Sequence, residues 1–258
     1  MRGGEPEAAA EIDRALAAGG NPTRAERERA YLKSRLTHYG ASVPHVRAVA
    51  RRVYRDGPPL THDELVALAA ALWARPVHEL RLAAAELLCA GVDLLDARDA
   101  PLLERLLRES QTWALADRLA IGVAGELAGR DAAMGAVLDR WVGDAELWIR
   151  RSALLALLPS LRRGESEGFG RFSRYADVLL DEQEFFIRKA IGWALREAGR
   201  RRPELVAEWV RRRATRCSTV TLREALKPLT PPQQAEILAA RQRGGKRGPI
   251  PGSAPRAQ

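Results

Sequence analysis

Three stretches decide the fold: Glu79-Leu-Arg-Leu-Ala-Ala-Ala85, Glu146-Leu-Trp-Ile-Arg-Arg-Ser152 and Glu184-Phe-Phe-Ile-Arg-Lys-Ala190. Each opens with Glu and an apolar residue, carries Leu or Ile at its fourth place and closes on a small residue. Glu109-Ser-Gln-Thr-Trp-Ala-Leu115 is a looser fourth copy, and successive starts lie 30, 37 and 38 residues apart. Such periods belong to helical-pair repeats, whose units bury their apolar faces only by stacking on neighbours.

Outside these stretches helical periodicity continues. Ala and Leu are abundant, Val and Ile sparse, and no alternating strand or Asn-Gly hairpin stands out. Gly57-Pro58-Pro59, Arg75-Pro76, Gly91, Pro101, Gly129, Gly143, Pro159, Pro203 and Pro231-Pro232 punctuate helices of roughly ten to twenty residues. Thr61 with Glu64 three residues on is a capping-box pattern, and Asp131 and Asp144 are further cap candidates. The expected fold is all-α: stacked antiparallel helical pairs forming a curved α-α superhelix. Arg150-Arg151 and Arg188-Lys189 recur at one repeat position, which predicts a basic concave face. Residues 1–6 are expected to fray, 7–240 to form a single domain and 162–171 to be a polar loop. Residues 241–258 carry five positive charges and no acid, the composition of a disordered tail.

Lys and Arg number 42 against 33 Asp and Glu, a net charge of +9 that suits a polyanionic partner, nucleic acid ahead of membrane. A drift toward Arg and Ala would give the same balance. Cys89 and Cys217 offer no disulfide framework and no metal-ligand spacing, and read as packing residues. His38, His45, His62 and His78 form no local metal motif, so no metal and no cofactor are expected. Without a signal-type segment or an apolar run near 18 residues, a cytoplasmic, soluble protein is expected.

Trp113 and Asp117 stand four residues apart, which places ring and carboxylate on one helix face. A carboxylate at the edge of an apolar face needs a partner or a cleft. Arg151, from the next repeat, is the candidate partner, and that pairing is compatible with function. Trp193 follows Lys189 by one turn, an aromatic beside a cation, as a sugar-phosphate contact requires. Core packing is the competing reading for both rings. Trp73, Trp141, Trp148 and Trp209 lie in runs that read as core or repeat packing.

Gln111-Thr-Trp-Ala-Leu-Ala-Asp117, Leu147-Trp-Ile-Arg-Arg-Ser-Ala-Leu154 and Glu184-Phe-Phe-Ile-Arg-Lys-Ala-Ile-Gly-Trp-Ala-Leu-Arg-Glu197 together resemble the HEAT-like-repeat DNA alkylation repair glycosylases of the AlkD type. Tyr39-Gly-Ala-Ser-Val-Pro44 and Leu72-Trp-Ala-Arg-Pro76 extend the resemblance, which covers roughly residues 25–230. It implies a HEAT-like-repeat fold and a catalytic carboxylate at Asp117. It further implies cleft tryptophans at Trp113 and Trp193 and a DNA-contacting arginine at Arg151, with Arg150 the alternative. Arg188, Lys189 and the Arg-rich 196–216 segment would add phosphate attraction. Ala116, where a larger aliphatic is common in the family, is a departure.

The activity so implied is monofunctional excision of cationic N3- or N7-alkylated purines from double-stranded DNA, in base excision repair, by a monomer, without metal, cofactor or membrane. An inactive DNA-binding scaffold and a protein-interaction solenoid are the alternative readings.

Overall fold

A computed structural model describes residues 5–245. Helix is the regular structure throughout these residues, apart from one isolated bridge between Thr37 and Val77, so the all-α expectation stands. The chain divides into two compact units, Met1–Ser160 and Leu161–Gln258, where the sequence suggests one domain over 7–240.

The first unit holds α1 (Glu5–Ala18), α2 (Pro22–Leu32), α3 (Val43–Asp56), α4 (His62–Ala74), α5 (His78–Ala90), α6 (Ala100–Arg108), α7 (Trp113–Leu119), α8 (Gly125–Arg130), α9 (Ala132–Trp141) and α10 (Leu147–Leu155). α11 (Leu158–Arg163) spans the boundary. The second unit continues with α12 (Ser166–Leu179), α13 (Phe185–Gly199), α14 (Pro203–Arg212), α15 (Thr219–Ala225) and α16 (Pro231–Gly245).

Local chemistry explains the starts. Thr61 and Glu64 close the capping box of α4 reciprocally, and Asp131 caps α9 by accepting from Ala133 N–H at 2.9 Å. Asp144 does not cap α10; Glu146 does. Asp144 is instead held by Arg108 and accepts from Glu146 N–H. Within the repeat, Glu146 and Glu184 stand at the N-cap positions of α10 and α13, where Glu146 accepts from Trp148 N–H and Glu184 makes no side-chain capping bond. The fourth-place residues Leu82, Ile149 and Ile187 and the seventh-place residues Ala85, Ser152 and Ala190 are all buried. The shared part of the repeat signature is thus a core stripe.

In the first unit α4 pairs with α5 and α9 with α10, while α5 packs on α7 and α7 on α10. The second helices of successive pairs therefore form a row, and each step is tied by a bidentate ion pair. Arg118 of α7 grips Glu86 of α5 (2.8 and 2.8 Å), and Arg151 of α10 grips Asp117 of α7 (2.7 and 2.8 Å). The first helices carry Trp73 and Trp141, fully buried, whose indole N–H groups donate to Glu109 (2.9 Å) and Glu104 (2.8 Å). Buried Trp209 in the second unit donates to Ser173, and Trp148 is buried too, so the packing reading of these four rings is correct.

In the second unit α13 packs against α14 and α15. Gly192 on α13 permits that approach: a Cβ there would sit 3.0 Å from Thr221 O and 3.1 Å from Thr221 Cα. Gly192→Ala gains helix propensity but forces two backbones apart. A net loss of about 1 kcal/mol is expected, read as a lower midpoint in chemical denaturation.

Three boundary expectations need correction. Residues 162–171 are not a loop: only Gly164-Glu165 separate α11 from α12, with Gly164 at φ +79°, and Phe169 and Phe172 are buried. The polar residues of that run face outward and conceal an amphipathic helix. The expected tail begins too early, because α16 runs to Gly245 and Arg241 donates to Cys217 O at 2.9 Å. Likewise α1 begins at Glu5, inside the stretch expected to fray. Residues 1–4 and 246–258 lie outside the described residues.

Candidate functional site

The turn before α7 is built tightly. Gln111 is an exposed non-glycine residue at φ +57°, and Thr112 N–H donates to Ser110 O at 2.6 Å. A left-handed non-glycine residue costs energy and recurs where geometry matters. Trp113 begins the helix directly after it and is half-buried. One turn on, Asp117 shares its face. α7 then opens into a π-helical stretch, Ala120–Ala124, a widening that often accompanies functional sites.

Asp117 is 9% exposed, and both its oxygens accept from Arg151, whose own exposure is 3%. Burial pushes the Asp117 carboxyl up from the ordinary aspartate range, and the paired guanidinium works against that rise. With each oxygen accepting one N–H of a permanent cation, the geometry holds Asp117 as a carboxylate. Its rung in the ion-pair row is not equivalent to the other. The Asp117 side chain keeps 12% exposure, whereas that of Glu86 keeps 2%. The Asp117 side chain is thus partly open to solvent, and that of Glu86 is not.

Trp113 is met edge-on by Tyr31 of α2, ring centroids 6.0 Å apart at 89°. Tyr31 is 74% exposed, an aromatic surface that sequence reasoning missed because α2 is polar and lies far upstream. Tyr31, Trp113, Asp117 and Arg151 all belong to the first unit. Trp193 lies in the second, half-buried on α13 beside Gly192.

The basic residues divide sharply. Arg151, expected to pair with Asp117 and to contact DNA, is buried and fixes Asp117. Arg150 folds back onto the carbonyls of Asp144 (2.8 Å) and Ala145 (2.7 Å), and Arg188 onto Glu182 O (2.7 Å) and the Gln183 side chain. These two occupy one repeat position and secure the turn before their helix, so their recurrence is structural. Lys189 is exposed, with its ammonium 5.8 Å from the Phe185 ring centroid. The arginines of 196–216 are largely committed inside the second unit: Arg196 to Glu224, Arg211 and Arg212 to Glu208, Arg213 to Asp177 and Arg216 to Asp181. Counting charge along the sequence overstates what a polyanion meets there.

Both cysteines are unpaired, and burial pushes both thiols up to about 12, consistent with inert packing roles.

The family model for DNA alkylation repair enzymes matches residues 12–229, which include every one of these side chains. The chain belongs to the DNA alkylation repair enzyme family. Membership places it in the repair of alkylated DNA. Its fold is similar to a solved structure of a predicted DNA alkylation repair enzyme from Enterococcus faecalis, with a TM-score of 0.71. At 22% identity that similarity covers 82% of this chain and 97% of the other, and it concerns the fold. No curated protein matches the chain. Among the described residues, no helix of this family member is long and apolar enough to cross a membrane.

Proposed function

We propose that this family member is a monofunctional DNA glycosylase that hydrolyses the N-glycosidic bond of N3- or N7-alkylated purines in duplex DNA. The observation that carries this reading is Asp117: a carboxylate pinned by a buried bidentate arginine, its side chain still partly open to solvent, one helical turn from a half-exposed tryptophan.

An alkylated purine of this class is already cationic, so its C1′–N bond breaks with the electron pair passing to the base, which leaves neutral. No protein acid is needed for departure. Positive charge develops on the deoxyribose, and a carboxylate aimed at C1′ from a partly dehydrated site stabilises it. Water then adds at C1′ and loses a proton, leaving an abasic sugar. Asp117 would orient that water as well as stabilise the charge. Trp113, flanked by Tyr31, offers a flat apolar surface for the sugar or a neighbouring base. Trp193 would add a second such surface, and exposed Lys189 a phosphate contact. The acting species would be a cytoplasmic monomer on double-stranded DNA, without metal or cofactor in the chemical step.

The assay is release of free 7-methylguanine or 3-methyladenine from methylated duplex DNA by the wild-type chain, with Asp117→Asn alongside. A second reading draws on the ion-pair row: Asp117–Arg151 could be one more structural rung of a DNA-binding scaffold. On that reading wild-type protein binds DNA and releases no base.

Trp113→Ala separates contact from packing. The ring is half-buried, so the variant should fold, while affinity for lesion-bearing duplex should fall about tenfold, the loss of one aromatic stack. Titrations at two salt concentrations check this, since losing a ring leaves the salt slope unchanged and losing a phosphate contact lowers it.

A further inference from the structure

α2 poses a physical problem. It buries none of its side chains, yet it carries the Tyr31 ring that meets Trp113. An isolated helix of eleven residues is marginal in water and needs a tether. Its cap, Asn21, and the Arg24 contact with Gly40 O (3.3 Å) secure only the first turn.

The second turn carries Glu28, which makes no hydrogen bond or ion pair among the described residues. Glu28 faces His38 and Glu79: one ligand atom from each lies within 4.8 Å of the other two. Both ring nitrogens of His38 are buried and lack any hydrogen-bond partner. The ring stacks on His78 at 4.6 Å, which fixes its plane. Glu79, 1% exposed, is locked by the backbone N–H groups of Tyr39 (3.0 Å) and Gly40 (2.6 Å). Two carboxylates and an unsatisfied imidazole gathered this closely are costly as they stand, even with Arg24 near Glu28 and Arg29 near His38.

We propose that Glu28, His38 and Glu79 bind one divalent cation of the zinc class, which clamps α2 onto α5. The donor set selects the class: an imidazole nitrogen with two carboxylate oxygens suits zinc, whereas magnesium and calcium favour oxygen alone. Ligands about 2 Å from such an ion sit roughly 3–4 Å apart, so a small inward turn of the Glu28 side chain completes the approach. The two backbone donors on Glu79 orient that carboxylate from outside, and the His78 stack fixes the plane of the imidazole. His38 lines a solvent-open groove bounded by α1, α2 and residues 35–39, which brings solvent to one side of the cluster. The cation's role is structural, and no step of base release passes through it. Its binding does not depend on the glycosylase reading.

The test titrates zinc alone into the chelator-stripped full chain by calorimetry, with amide hydrogen exchange followed across α2. One equivalent should bind, and exchange of α2 amides should slow with zinc. Glu28→Gln and His38→Asn, each verified as folded by circular dichroism, should weaken binding at least tenfold and abolish the slowing. Asp117→Asn should bind as wild type does. Absence of stoichiometric binding, binding that survives both substitutions, or α2 exchange indifferent to zinc overturns the proposal.

Discussion

Asp117→Asn should lower the rate of base release from methylated duplex by a factor of about 100 to 1,000, the range for removing one preorganised group that meets developing charge. The substitution keeps size and shape but removes the negative charge, and with it the stabilisation of the sugar cation. Because it also leaves the buried Arg151 without its counter-charge, rates are compared at equal folded fraction. Affinity for undamaged duplex should change little, because the carboxylate contributes nothing favourable to phosphate contact. Single-turnover kinetics beside a binding titration read both quantities. An equal loss of binding and release would place the defect in folding or docking instead of in the chemical step.

Arg151→Met should cost about 3–5 kcal/mol of stability, the range for stranding one member of a buried pair. The guanidinium supplies both donors to Asp117, and methionine fills similar space without either. The sign of the pH dependence follows from the pKa direction. Burial already raises the Asp117 carboxyl in the folded state, and without Arg151 nothing opposes that rise. Between the unfolded and the raised folded values the native state binds more protons, so this group's contribution falls as pH rises through that window. The variant should therefore be less impaired at pH 5 than at pH 8 in denaturation midpoints. Asp117→Leu combined with Arg151→Met should recover much of the loss, since an apolar pair can replace a buried ionic one.

The all-α class and the repeats were legible because they rest on local chemistry: Glu146 and Glu184 at N-cap positions, Ile149 and Ile187 as core, Trp73 and Trp141 as packing rings. Asp117 and Arg151 were legible as a pair because a carboxylate on an apolar face demands a cation. Their burial was not, and so Arg151 reads as a phosphate contact from sequence alone. The backbone contacts of Arg150 and Arg188 were not legible either, because carbonyl partners leave no trace in residue identity. The 162–171 run hides the start of a helix because Phe169 is its one large buried side chain, the other anchors Phe172, Tyr175, Ala176 and Leu179 coming after it. Tyr31 with Trp113, and Glu28 with His38 and Glu79, join residues 10 to 82 positions apart, with no spacing rule to announce them.

On the proposed function, Asp117 serves chemistry as well as architecture. The most direct test follows one N7-methylguanine in a duplex under single-turnover excess of the wild-type chain, with free base and abasic product quantified together. The account predicts stoichiometric release of 7-methylguanine and an abasic site in equal amount, without metal in the buffer. Bound but intact duplex, with no base above the spontaneous rate, would contradict it.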